Sequence, residues 1–296
     1  MKTWIWLVVG FLSLAPALAQ DEDDETGGDK VQSAKAALIT RRLNLTPEQA
    51  QRFWPVYDEF DKERRQNLKS LTQLRDRFQV ASDDEIKTGL RQMTEVRQKD
   101  VAIEREYIGK FGRVISARQT AELYKTETEF QKAIWSRVLQ GSGQSEEAVE
   151  TARAAFLTNR MKLTAEQSRQ FWPVYNELQR EKNANAQASE KIRNSVNNAR
   201  SDAEITDLLK QMADLRQKDV DLEKKQTERF LRIVNPRQAA MFYKGEIDFR
   251  RKIIQEWRER RREQAGDRTK RERLEQFRER REAVRERRNE QRHPRE

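Results

Sequence analysis

LTPEQAQRFWPVY, Leu45–Tyr57, returns as LTAEQSRQFWPVY at Leu163–Tyr175, 118 residues later (163 − 45), with nine of thirteen positions identical. A Phe-Trp-Pro-Val-Tyr run does not recur by chance, so the chain contains a duplicated unit. The stretch opens as a helix start. Thr46 is placed to accept from the backbone N–H of Gln49 while the Gln49 side chain reaches back to the N–H of Thr46. That is a capping box, with Pro47 at the first helical position, where its missing N–H is harmless. Phe53, Val56, Tyr57 and Phe60 then fall at i, i+3, i+4 and i+7, one apolar helical face. Pro55 lies inside this helix and predicts a kink.

The same grammar extends outward. A short helix over Ala34–Arg42 precedes the Thr46 start, and Ser82-Asp83-Asp84-Glu85 opens a long helix carrying Ile86, Leu90, Met93, Val96, Ile103, Tyr107 and Phe111. Ser116 and Gln119 start a fourth helix, with Leu123, Tyr124, Phe130, Ile134 and Val138 on its apolar face. The second copy repeats the order: Ala152–Met161, then starts at Thr164/Gln167, Ser201/Glu204 and Asn235/Gln238. Its later motifs are offset by 119 (204 − 85; 238 − 119), so one residue was gained between Phe60 and Ser82 or their counterparts. Both copies carry Arg-Gln-Lys-Asp-Val, at Arg97–Val101 and Arg216–Val220, read as charged side chains that close salt bridges to a neighbouring helix.

Composition agrees with an all-α chain of thin helices. Charged residues make up 37% and hydrophobic ones 35%, a shallow core for this length. No stretch alternates with the period of two that a half-buried strand requires. The expected organisation is a signal peptide over 1–19, an acidic disordered leader over 20–32, a first unit over 33–140, and a linker over 141–147 around Gly141 and Gly143. A second unit over 148–258 and an Arg/Glu-rich tail over 259–296 complete it.

Lys2, the apolar run Trp4–Ala15 and Ala17-Leu18-Ala19 predict a secretory signal cleaved after Ala19. A dozen apolar residues are too few to cross a bilayer, which needs about 20, so the mature chain is expected not to be an integral membrane protein. Export without a single cysteine fits a bacterial periplasm and a fold held by helix packing. From Glu256 to Glu296 the chain holds 16 Arg or Lys against 11 Asp or Glu, a net of +5 within a total of +10. This tail reads as a solvated helix, or as a contact arm for an anionic partner. Nucleic acid is not an expected partner after export.

Four helix starts thus share one pattern: Leu45-Thr46-x-x-Gln49, Ile115-Ser116-x-x-Gln119, Leu163-Thr164-x-x-Gln167 and Val234-Asn235-x-x-Gln238. An exported, cysteine-free, helical chain with two such motifs per unit resembles the Spy/CpxP family of periplasmic LTxxQ proteins, over about Ser33–Trp257. The resemblance implies four-helix units that pair into a shallow cradle. It also implies an ATP-independent chaperone, a restraint on an envelope-stress sensor kinase, or a metal-responsive sensor. The chain departs from the family in holding two units at once, in its degenerate second and fourth motifs, and in its basic tail.

The residues do not favour an enzyme, since the one histidine is His293 and neither a cysteine nor a glycine-rich phosphate loop occurs. No cofactor or metal is expected, because isolated methionines and one histidine cannot build a transition-metal site. The reading is a chaperone or adaptor that binds unfolded or membrane-associated envelope proteins on a basic, partly apolar cradle. The alternative is a regulator of a sensor kinase or anti-sigma partner. Phe53, Tyr57, Phe171 and Tyr175 are read as core, while Trp54 and Trp172 stand between core and a client-binding groove. Thr46, Gln49, Ser116, Gln119, Thr164, Gln167, Asn235 and Gln238 are read as structural helix caps. The Gly141–Gly143 joint would hold the two units as an internal pseudo-dimer.

Overall fold

The structure, a computed structural model, describes residues 25–143 and 145–292, and in them the chain is all helix. The segment expected to be a signal peptide, the first part of the expected leader and His293 lie outside the described residues, as do the side chains of Leu274, Phe277 and Val284. Eight α-helices follow in order: α1 (Glu25–Leu43), α2 (Pro47–Arg77), α3 (Asp83–Phe111), α4 (Ala117–Ser142), α5 (Glu146–Met161), α6 (Ala165–Ser195), α7 (Asp202–Ile233) and α8 (Pro236–Arg292). They start where the hydroxyl and amide caps stand. Thr46, Ser82, Ser116 and Thr164 each form a complete capping box. Asn235 and Gln238 exchange the same two bonds at 2.8 and 3.0 Å. Helices α2 and α6 run unbroken through Pro55 and Pro173, both of which face solvent.

Three expectations need correction. The leader is not disordered throughout, because α1 reaches back to Glu25. Once Ile39 and Leu43 are packed, each further residue adds a hydrogen bond without a new nucleus. The joint at Gly141 is not a free linker. Helix α4 continues to Ser142, Gly143 takes a left-handed φ of 65°, and Ser145 at once caps α5. A Cβ on Gly141 would lie 2.3 Å from the Trp257 ring, and one on Gly143 2.3 Å from the Arg260 guanidinium. Gly141 therefore lets α8 lie close over the joint, while Gly143 is needed for its left-handed φ. Nor is the charged tail a separate element, since α8 runs as one helix of 57 residues.

Both α2 and α6 have 31 residues, so the gained residue lies in the turn that follows. Phe78–Ala81 joins α2 to α3, whereas the one-residue-longer Val196–Arg200 joins α6 to α7 and contains a short 3-10 turn over Val196–Asn198.

The cores do not follow the halves of the chain. One cluster joins Ile39, Phe53, Tyr57, Phe60, Phe111 and Tyr124 of α1–α4 to Val196, Ile205, Leu209 and Ala213 from the far hairpin. The other joins Leu157, Phe171, Tyr175, Phe230 and Tyr243 of α5–α8 to Leu68, Phe78, Ile86 and Leu90 from the first hairpin. Each half thus lays the tip of its central hairpin on the aromatic base of the other. A third cluster ties α4, through Trp135 and Val138, to α5 at Val149 and α8 at Phe249, Ile253 and Ile254.

Candidate functional site at the crossing of the two halves

Hairpins exchanged in this way must cross, and α3 meets α7 at the crossing. Arg97 donates to Glu223, and Arg216 donates to Glu104. The position numbers have one sum (97 + 223 = 320; 104 + 216 = 320), so the two helices run antiparallel. They also have one difference (216 − 97 = 119; 223 − 104 = 119), so each bridge is the repeat counterpart of the other. The arginines head the two Arg-Gln-Lys-Asp-Val runs, and their salt bridges close onto a neighbouring helix. Helical propensity does not require an aspartate in those runs, but packing does. Asp100 takes a two-pronged bond from Arg64 at 2.9 and 3.0 Å, and Asp219 accepts from Asn185 at 2.7 Å.

Both carboxylates and Arg97 are largely removed from water, while Arg216 is 37% exposed. The Glu223 side chain keeps 8% of its exposure and serves both Arg97 and Lys182. Burial pushes the Glu104 carboxyl above its ordinary range despite the opposing pull of Arg216 and Arg64. Burial also acts against Asp100, yet the Arg64 guanidinium outweighs it and holds that carboxyl low. Deeper in the first core, Tyr57 donates to Glu127 at 2.8 Å and Lys35 lies 3.0 Å from the same carboxylate. Burial, with Glu127 beside it, raises the Tyr57 hydroxyl. Lys35, Arg64 and Tyr57 together hold Glu127 low against its own burial.

Each hairpin tip is gripped by an arginine that sequence reasoning passed over. Arg118 donates to the Val196 and Ala199 carbonyls at 3.2 and 3.0 Å, and Arg237 to those of Gln79 and Ala81 at 3.5 and 2.8 Å. They are counterparts (237 − 118 = 119), and each directly precedes a motif glutamine. An identical basic residue at the same place in both copies was the available signal. Glu104 and Glu223, identical at the same offset, carried a similar one.

The motif residues serve as caps and as a joint between helices. Gln49 and Gln119 exchange side-chain amide bonds at 3.0 and 3.1 Å, and Gln167 and Gln238 do so at 3.0 Å. Each pair sets two LTxxQ helix starts side by side. Trp54 is half-buried, edge-on to Phe53 and Tyr57 at 5.2 and 5.6 Å between ring centroids. Trp172 is also half-buried, and its Nε1 donates to Thr158 at 3.2 Å. The structure does not bring the two tryptophans into one groove, since each packs on a different core. Among the described residues the one large apolar side chain left exposed is Val80, at 91%, on the first hairpin turn.

Among the described residues no group of three or more His, Cys, Asp or Glu could hold a metal, and no helix is long and apolar enough to cross a membrane. Compared with protein-family models, curated proteins and solved structures, the chain matches none.

Proposed function

We propose that the chain is an exported, ATP-independent binding protein of the Spy/CpxP kind, a chaperone or adaptor for unfolded or membrane-associated envelope proteins. Its two LTxxQ units form an internal pseudo-dimer. The observation that carries this is the reciprocal crossing, in which Arg97 reaches Glu223 and Arg216 reaches Glu104. Paired contacts of the form i to j and j to i are the mark of an isologous interface between two copies. Here both copies lie on one chain, so pairing costs no loss of free translation and does not depend on concentration. Light scattering across a dilution series is expected to give a constant monomer mass, and a species that dissociates on dilution refutes the pseudo-dimer.

Client recognition in this proposal rests first on charge. The exterior is basic, with a net charge of +10 on the chain, and Val80 is the one large apolar side chain exposed among the described residues. Long-range attraction would gather acidic segments of a client, with Lys and Arg stems covering its apolar parts. An aggregation assay with an unrelated unfolding protein, at sub-stoichiometric and equal ratios, tests this. Suppression that weakens as salt rises supports the charge-led chaperone. Absence of suppression moves the function to the regulator of a sensor kinase or anti-sigma partner, which the apolar-poor surface also favours.

A further inference from the structure

Helix α1 lies on α4 as α5 lies on α8. Lys35 reaches Glu127 at 3.0 Å and Arg42 reaches Glu129 at 3.3 Å. Their counterparts do the same, with Arg153 reaching Glu246 and Arg160 reaching Asp248 at 3.0 Å. One juxtaposition of this set is covalent in the second half alone. The end of α4 at Gly141–Gly143 runs directly into the start of α5 at Glu146. The counterparts of Gly141, Ser142 and Gly143 are Arg260, Arg261 and Arg262 (119 on), and that of Glu146 is Gly28 (118 back). The correspondence therefore brings Arg260–Arg262 of α8 to the start of α1, as the joint brings α4 to the start of α5.

At that start the sequence places a run of acids, Asp21-Glu22-Asp23-Asp24-Glu25, with a charge of −5. Asp21 to Asp24 lie outside the described residues. The chain between Asp21 and Gly28 spans at most about 25 Å, against about 10 Å between the axes of packed helices. The run therefore has the reach to meet the turns of α8 around Arg261 and Arg262.

Those turns are basic and open. Trp257 is the last α8 side chain packed in a core among the described residues, and Arg260, Arg261 and Arg262 are exposed. Arg258-Glu259-Arg260-Arg261-Arg262 holds four arginines to one glutamate, bounded by Glu256 and Glu263. Arg260 lies against Gly143, with Glu146 and Glu147 of the α5 start next along the chain, and Arg261 lies over the Trp257 ring at 5.2 Å. From Arg258 to Arg292 the helix carries 15 Arg or Lys against 9 Asp or Glu, a net of +6. The acidic run matches that excess in size and opposes it in sign. Held on a short tether, it acts at millimolar effective concentration.

We propose that the acidic run Asp21–Glu25 docks on α8 at Arg261 and Arg262, and so covers the basic surface that acidic client segments would otherwise use. This rests on the charge-led reading of the function. The chain has no cysteine, so an introduced pair in the full chain reports without interference. Asp23→Cys with Glu263→Cys keeps both arginines. Asp23→Cys with Gln79→Cys is the control, because the Gln79 carbonyl is held by Arg237, about 36 Å from Arg261 along α8. The first pair is expected to form its disulfide about tenfold faster than the control in dilute salt. It should slow toward the control in about 0.5 M sodium chloride, or when Asp21, Glu22, Asp24 and Glu25 are changed to amides. A fluorescein-labelled decaglutamate is expected to bind about tenfold more tightly once all five acids are amides, and Arg261→Gln with Arg262→Gln should abolish that gain. A disulfide no faster than the control overturns the docking. So does a fast one indifferent to salt and to the acids, the result expected if they serve only the start of α1. Equal, measurable decaglutamate affinity with and without the acids overturns the covering. Decaglutamate that binds neither chain removes the charge-led reading instead, and the disulfide rate then decides the docking.

Discussion

Glu223→Gln and Glu104→Gln remove counterpart carboxylates, yet they should not cost the same. Removing Glu223 takes a shared carboxylate from two cations, Arg97 and Lys182, whose side chains each retain 12% exposure. Breaking a buried pair by removing one partner costs about 3–5 kcal/mol, because the remaining charge loses its counter-ion where water does not replace it. Removing Glu104 strands Arg216, which is 37% exposed and can recover water. Glu104 is also a carboxyl that burial already drives toward the neutral form, so a neutral amide replaces it at less cost. Discounted for that screening, its loss should be about 1–2 kcal/mol. Urea unfolding monitored by helical circular dichroism, with the midpoint read at constant slope, measures both. A double-mutant cycle on Arg97→Ala and Glu223→Ala isolates the pair. Equal costs for the two glutamine variants, or no coupling in the cycle, would show that the crossing is held by apolar packing alone.

Thr46→Ala and Thr164→Ala should each cost about 1 kcal/mol in the same urea experiment. A loss of client binding at unchanged stability would instead make the motif a contact surface. Deleting the chain from Gln264 onward should leave Tm nearly unmoved, because among the described residues the last α8 side chains packed in a core are Ile254 and Trp257; a large fall would mean that the tail docks. Asp100 and Glu127 are held below their ordinary values, so the folded state binds their protons more weakly than the unfolded one. Their stabilisation is present above the unfolded carboxylate range, about pH 4, and is lost as pH falls through the lower folded values. Glu104, being raised, acts in the opposite sense. Tm should fall on acidification from about pH 5 to 3, and less steeply in Asp100→Asn; an equally steep fall would remove Asp100 from the account.

Much of this was legible one helix at a time. Caps and apolar faces are local, so Thr46, Ser116, Thr164 and Asn235 could be read as helix starts, and Phe53 and Phe171 as core, from spacing alone. The Arg97 and Arg216 bridges were legible because a charged run repeated at mid-helix needs a partner. What spacing cannot give is the address of a face. Ile86 and Leu90 are marked as buried by their period, but nothing in that period says they lie on Phe171 and Phe230 rather than on Phe53 and Phe111. The same gap made the expected surface more apolar than the one observed, for a unit read alone has no second hairpin to cover it. Gly141 and Gly143 were read as flexibility because glycine permits it, when the Trp257 ring requires the bareness of Gly141 and a left-handed φ requires Gly143.

The exchange of hairpin tips explains why duplication and a charged exterior belong together. Without its counterpart, the α2–α3 tip would present Leu68, Leu71, Phe78, Ile86 and Leu90 to water. The exposed base around Phe53 and Phe111 would lose its cover of Ile205, Leu209 and Ala213 as well. Each large apolar side chain so exposed forfeits about 1.5–3 kcal/mol, against the 5–15 kcal/mol that holds an ordinary domain together. A half-chain would therefore need a partner to remain folded, and the turn at Gly143 supplies one permanently. With the apolar faces packed on each other, the exterior of the described residues is left largely polar and charged. The same permanence frees one copy to change, because a covalent pair need not stay symmetric. Phe60 and Leu123 against Leu178 and Phe242, where ring and aliphatic side chain have changed places, and Gln131 against Arg250 are where the two copies have used that freedom.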